Sequence, residues 1–84
     1  MPGEQAAVTV RYWAGARAAA GVDEDALLGC ATVADAAAAA VGLHPALGAI
    51  VPVSTWLLDG RAALPDAPLA SGAVLEVLPP FAGG

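Results

Sequence analysis

Eighty-four residues are enough for one small domain, because a chain of this size buries only roughly 60 to 65% of its unfolded surface, and they leave no room for a second domain or a deep enzyme cleft. The composition is 58% hydrophobic, but alanine supplies much of that count, so a core has to rest on Val, Leu, Ile and the aromatics. Eight acidic residues against three arginines, with no lysine, give a net charge of −5, which excludes nucleic acid as a partner and favours steering toward a basic patch on another protein.

The N-terminal Met1-Pro2-Gly3-Glu4-Gln5 carries no basic targeting region, and the longest apolar stretch, Ala36 to Val41, is far too short to span a membrane. A soluble, cytoplasmic protein with no membrane contact is expected. Residues Ala7 to Ala14 alternate Val8, Val10 and Tyr12 with Thr9, Arg11 and Trp13, the period-two pattern of a first strand with two unlike faces. Gly15 and Gly21 bracket Ala16 to Ala20, which predicts one helical turn, and a weaker strand follows over about Asp25 to Leu28.

Thr32-Val33-Ala34-Asp35 reads as an N-cap with an acidic residue at the third helical position, and the alanines behind it have the highest intrinsic helix propensity. The main helix is predicted over Val33 to Val41, with Gly42 as a left-handed stop, Pro45 preventing resumption, and Val33, Ala36, Ala37, Ala40 and Val41 as its apolar stripe. Val53 to Leu58 and Arg61 to Leu64 flank Asp59-Gly60, the strongest short hairpin signal in the chain. Pro65 to Gly72 reads as a connection, and Ala73 to Leu78 as the last strand, ended by Pro79-Pro80. The order β-β-α-β-β-β predicts an α+β fold, one mixed sheet covered on one face by one main helix.

An ordinary active site is hard to find. A lone Cys30 forms no internal disulfide, and one Cys with one His cannot complete the usual four-ligand zinc site, so no metal is expected. Cys30 is expected to be a partly buried small hydrophobe, His44 a solvent-exposed turn histidine without a nucleophile to activate, and Asp23-Glu24-Asp25 a solvated turn. What remains is the end of the chain, Pro79-Pro80-Phe81-Ala82-Gly83-Gly84. The prolines lack amide donors and favour extended backbone, so the tail should project, and two glycines without Cβ let its carboxylate pass through a narrow channel of another protein.

With these features the chain resembles the small subunit of molybdopterin synthase, a MoaD-like protein of the β-grasp sulfur-carrier family that also includes the thiamin-pathway carriers (ThiS). Three blocks carry the resemblance: Tyr12-Trp13-Ala14-Gly15-Ala16-Arg17-Ala18-Ala19-Ala20-Gly21, the helix start Thr32-Val33-Ala34-Asp35, and Leu69 to Gly72 with Val77-Leu78-Pro79-Pro80-Phe81-Ala82-Gly83-Gly84. The double proline favours the molybdopterin type. The chain departs from the family pattern at Gly72-Ala73-Val74, at Leu58-Asp59 and in the alanines that replace charged helix residues.

The resemblance implies a single ubiquitin-like β-grasp domain over 1–84 with five strands, two of them short, and 79–84 as a projecting tail. It implies no bound cofactor and no catalysis by this chain alone. An E1-like (MoeB-type) adenylyltransferase would use ATP to activate Gly84, sulfide would convert the acyl-adenylate to a thiocarboxylate, and the tail, with Gly83 as slender backbone, would enter the large catalytic subunit of molybdopterin synthase. Sulfur donation in another pathway (thiamin, cysteine or a secondary metabolite), a ubiquitin-like modifier and an inert interaction domain stay open as alternatives.

The strand faces also predict a docking patch. Val8, Val10 and Tyr12 should face the helix, and burying an unpaired Glu76 would be costly, so Leu75 and Val77 go inward. If the first and last strands are neighbours, as the resemblance implies, Arg11 and Glu76 can pair while Trp13 and Leu78 lie open near the tail, with Phe81 at the edge of the patch; the alternative is that the Gly15 to Gly21 turn covers Trp13.

Overall fold

The computed structural model describes residues 7–80. Strand β1 (Ala7–Tyr12) leads into helix α1 (Ala14–Ala20), strand β2 (Glu24–Leu28) and helix α2 (Val33–Leu43); two 3-10 turns (Pro45–Ala49 and Val51–Val53) precede β3 (Thr55–Leu58), β4 (Arg61–Ala63) and β5 (Val74–Leu78). The five strands form one mixed sheet in the order β2-β1-β5-β3-β4, with β1 and β5 parallel at its centre and the other neighbours antiparallel. This is the ubiquitin-like β-grasp arrangement. Among the described residues no helix is long and apolar enough to cross a membrane.

The core lies where the two alternating strands meet α2. Val8, Val10 and Tyr12 of β1 and Leu75 and Val77 of β5 are buried, as the alternation predicts, against Val33, Ala36 and Ala40 of α2, Leu47 of the first 3-10 turn and Ala16 and Ala20 of α1. Ala37 and Val41, the rest of the predicted stripe, are half-buried. Each large side chain so buried is worth about 1.5–3 kcal/mol, and the alanines let α2 approach the sheet closely.

Several boundaries differ from the sequence reading, each for a backbone reason. β1 stops at Tyr12 because Ala14 takes a left-handed φ of 49°, turning the chain from strand into a seven-residue α1 rather than a single turn. Gly42 is not the stop of α2: the helix runs through it to Leu43, and His44 ends it because the residue before a proline is driven out of the α region. Pro45 and Pro52, each near the start of a 3-10 turn, shape the segment after α2 and delay β3 from the expected Val53 to Thr55. At the β3–β4 hairpin Asp59 (φ 49°) and Gly60 (φ 87°) both have positive φ, the type I′ geometry that Asp-Gly favours.

The connection 64–72 does more than join β4 to β5. Its carbonyls accept from the first turn of α2, Pro65 O from Ala34 N at 2.8 Å and Ala67 O from Val33 N at 3.1 Å, donors that the helix cannot satisfy itself. Thr32 Oγ1 accepts from Asp35 N at 3.2 Å and Asp35 Oδ2 accepts from Thr32 N at 3.1 Å, a reciprocal capping box. Thr32→Ala should therefore lower the urea unfolding free energy by about 1 kcal/mol, read as a shifted midpoint with an unchanged slope.

Candidate functional site: the tail root and the outer face of the sheet

β5 is the strand that delivers the tail. Its last residue, Leu78, pairs with Thr55 of β3, after which Pro79 is half-buried and Pro80 exposed. Neither proline can donate to a ladder, so sheet pairing ends there. The remaining tail positions, Phe81, Ala82, Gly83 and Gly84, lie outside the described residues.

Because β5 runs parallel to β1, Tyr12 stands opposite Val77, and the residues that follow both strands emerge at the same end of the sheet. That geometry sets Trp13 beside the tail root. Trp13 is 38% exposed, so the α1 turn does not bury it. Its Nε1–H donates to Glu76 Oε2 at 3.1 Å, and the Arg11 guanidinium lies 5.1 Å from its ring centroid. Arg11 and Glu76 are register partners, yet the expected ion pair between them does not form. Arg11 Nε instead lies 3.7 Å from Glu24 Oε1, directly opposite it on antiparallel β2, while the indole takes Glu76. A chain Glu24, Arg11, Trp13, Glu76 thus crosses three strands of the outer face, with Leu78 half-buried and Val74 exposed on the same face. Both groups of the Arg11–Glu24 pair are about half exposed, so it orders side chains more than it stabilises the fold.

His44 departs from its expectation as an exposed turn residue. Its Nε2 lies 2.6 Å from Asp25 Oδ2, the same oxygen that accepts from the Tyr12 hydroxyl at 2.8 Å, and its ring meets Tyr12 edge-on at 5.8 Å. The three side chains pin the end of α2 to β1 and β2. Burial foremost, and the Asp25 carboxylate next, push the Tyr12 phenol well above its ordinary value. The acidic run is likewise engaged rather than merely solvated: Asp23 Oδ1 lies 3.0 Å from Arg17 Nε, Glu24 meets Arg11, and Asp25 holds the Tyr12–His44 cluster. Apart from Arg17 and Asp23, these partners are distant in sequence, and the only signal for them was the inward parity of Tyr12. Among the described residues no three His, Cys, Asp or Glu side chains gather to hold a metal. Cys30 is buried, and that burial, with the nearby Asp35 carboxylate, raises its thiol pKa, so it is the inert small hydrophobe expected.

The raised Tyr12 value has a definite sign. The folded state keeps the proton that the unfolded chain loses near the ordinary value of 10.0, so this contribution is fully present below about pH 10 and is lost as pH rises toward the folded value. Urea unfolding between pH 8 and 11 should show stability falling above about pH 10, and Tyr12→Phe should flatten that fall.

No protein-family model and no curated protein sequence matches the chain. Solved structures do. Small archaeal modifier protein 1 from Haloferax volcanii is 31% identical, with a TM-score of 0.86 over 93% of this chain and 99% of its own. A protein assigned as molybdopterin converting factor subunit 1 from Pyrococcus furiosus is 28% identical, with a TM-score of 0.82 over 90% of this chain and 99% of its own. The complex of subunits 1 and 2 of the molybdopterin-converting factor from Helicobacter pylori contains a chain 20% identical, with a TM-score of 0.69 over 93% of this chain and 99% of that one, a likeness of fold.

Proposed function

Since the chain belongs to the β-grasp family of sulfur carriers and ubiquitin-like proteins, we propose that it is the sulfur-carrying small subunit of a molybdopterin synthase, with the carboxylate of Gly84 as its working group. The observation that carries this reading is the Pro79-Pro80-Phe81-Ala82-Gly83-Gly84 ending, attached to a central strand that leaves the sheet beside the half-exposed Trp13. The chemistry follows from what a carboxylate lacks. Its oxygen is a poor leaving group until a separate adenylyltransferase joins it to the α-phosphate of ATP, releasing pyrophosphate. Hydrosulfide then adds to the acyl carbon and expels AMP, leaving a terminal thiocarboxylate as nucleophilic sulfur. A large subunit would supply acid and base groups while the sulfur passes to a pterin precursor in the cytoplasm; the small chain supplies Gly84 and the slender backbone of Gly83.

Docking would use the outer face. Trp13, positioned by Arg11 and Glu76, and Leu78 form an apolar surface edged by charge at the root of the tail, the arrangement of an anchoring aromatic beside a polar rim. That the 28% identical relative is named subunit 1 of a molybdopterin converting factor supports a partner subunit for this chain. A second reading has its own support: the 31% identical relative is named a modifier protein, so Gly84 could be joined to lysines of other proteins.

Intact mass separates these outcomes. Incubation with a matching adenylyltransferase, ATP and a sulfur source should add about 16 Da, oxygen replaced by sulfur, and deletion of Gly84 should abolish the gain while shifting stability by less than about 0.5 kcal/mol. Higher-mass conjugates on an immunoblot, with no such gain, would favour the modifier. Trp13→Ala should weaken binding to the large subunit by about 2 kcal/mol in calorimetry with little loss of fold stability; a variant that unfolds but binds normally in its folded fraction would place Trp13 in the core.

A further inference from the structure

An activated acyl carbon reacts with any amine or thiolate that reaches it, and those of the same protein are the nearest at hand. Here such groups are few. All three cationic side chains are arginines, Arg11, Arg17 and Arg61, and no lysine occurs among the 84 residues. A guanidinium stays protonated at any working pH and has no electron pair to offer. The α-amine is therefore the only aliphatic amine the sequence supplies.

The fold withdraws the other nucleophiles from solvent. Cys30 is buried, and that burial, followed by the Asp35 carboxylate, raises its thiol pKa and keeps the thiolate scarce. Tyr12 is buried too, its hydroxyl donating to Asp25 Oδ2 in surroundings that hold the proton on the phenol. The single imidazole, His44, lies with Nε2 2.6 Å from the same carboxylate oxygen, and its side chain is only 19% exposed. Of the hydroxyls, Ser54 donates to Ile50 O at 2.7 Å and Thr32 caps α2. With His44 held on Asp25, no histidine is left to take a proton from Ser71, Thr9 or Thr55. Positions 1–6 and 81–84 add no Lys, Cys, His, Tyr, Ser or Thr. Attack by a carboxylate gives an anhydride, which water reopens.

From this arrangement we infer that the folded domain is inert toward its own activated end, so that an acyl group at Gly84 is discharged by a nucleophile from outside, hydrosulfide or the amine of another protein. The inference rests on Gly84 as the working group and holds for both readings of its use. As a sulfur carrier, the chain lets hydrosulfide add to the acyl carbon and expel the leaving group with no side-chain amine in competition. As a modifier, it lets a target amine form the C–N bond while the leaving group departs with its electron pair and the amine proton passes to water. A second copy then finds no lysine on the first, so targets carry single units, and head-to-tail joining through the α-amine is the one self-reaction open.

The full chain prepared with a thioester at Gly84 tests this without adenylyltransferase or ATP. At about pH 8, where an α-amine is largely unprotonated, intact mass should show hydrolysis to the carboxylate, and peptide mapping should place any linked product on the α-nitrogen. Arg61→Lys keeps the charge at an exposed position of β4 and should add a product linked at position 61. Acetylation of the folded chain by an N-hydroxysuccinimide ester should add one hydroxylamine-stable acetyl group, and iodoacetamide should label Cys30 in urea about tenfold faster than in buffer. Linkage of the unchanged chain through any side chain, a second stable acetyl group, or equal alkylation rates in urea and buffer would overturn the inference. So would an Arg61→Lys chain that links no more than its parent, since lysine content would then not be what protects the end. A chain that passes these tests yet gains no mass with an adenylyltransferase would keep its inertness and lose the reading of Gly84.

Discussion

The parallel pairing of β1 with β5 is the constraint on which the rest of the structure depends. It joins the first strand to the last, so it forms only when nearly the whole chain has been brought round, at a closure cost that local contacts cannot repay. What repays it is burial: Val8, Val10 and Tyr12 on one strand and Leu75 and Val77 on the other present their side chains to the same layer and are almost wholly removed from water. The same register lines up the outer residues. Arg11 stands opposite Glu76, and Trp13, one residue past the strand, reaches Glu76 across a separation of 63 positions. The core and the surface proposed for docking are thus two faces of one pairing, and a slip by one residue would exchange them.

The helix over that pairing is shaped by its alanines in two opposite ways. Toward β1 and β5, Ala36 and Ala40 let the backbone come close enough for a dense core. Toward β3 and β4, equally small side chains leave an apolar groove. Helix propensity alone leaves the first-turn donors of α2 unsatisfied, and the connection before β5 supplies the missing acceptors at Pro65 and Ala67. A segment with the composition of a loop is therefore an integral cap, and it ties the placement of α2 to the strand that carries the tail.

Polar groups are divided between the faces by how much water they keep. On the outer face Arg11, Glu24 and Glu76 are solvated and orient an indole at small net energy. Beneath the sheet, Tyr12 is buried and its hydroxyl has Asp25 as acceptor, with His44 on the same carboxylate oxygen. Loss of that acceptor would leave a desolvated hydroxyl, so this cluster is a structural joint. It holds the end of α2 in place and has no part in the chemistry proposed for Gly84.

Much of this protein was legible in the sequence, because short-range patterns encode it. The alternation in Ala7–Tyr12 and Val74–Leu78 set which residues face inward, Thr32 and Asp35 marked the start of α2, Asp59-Gly60 marked the hairpin, and the double proline marked the end of β5. What the sequence could not decide were contacts between residues far apart along the chain, since nothing local distinguishes one carboxylate from another as a partner. Only the assembled sheet gave Arg11 to Glu24 rather than Glu76, placed His44 on Asp25, and carried α2 through Gly42 to the residue before Pro45, where the proline ring and not the glycine ended it. The groove belongs to the same class: alanines read as helix formers in the sequence, and as empty space only once β3 and β4 stand opposite them.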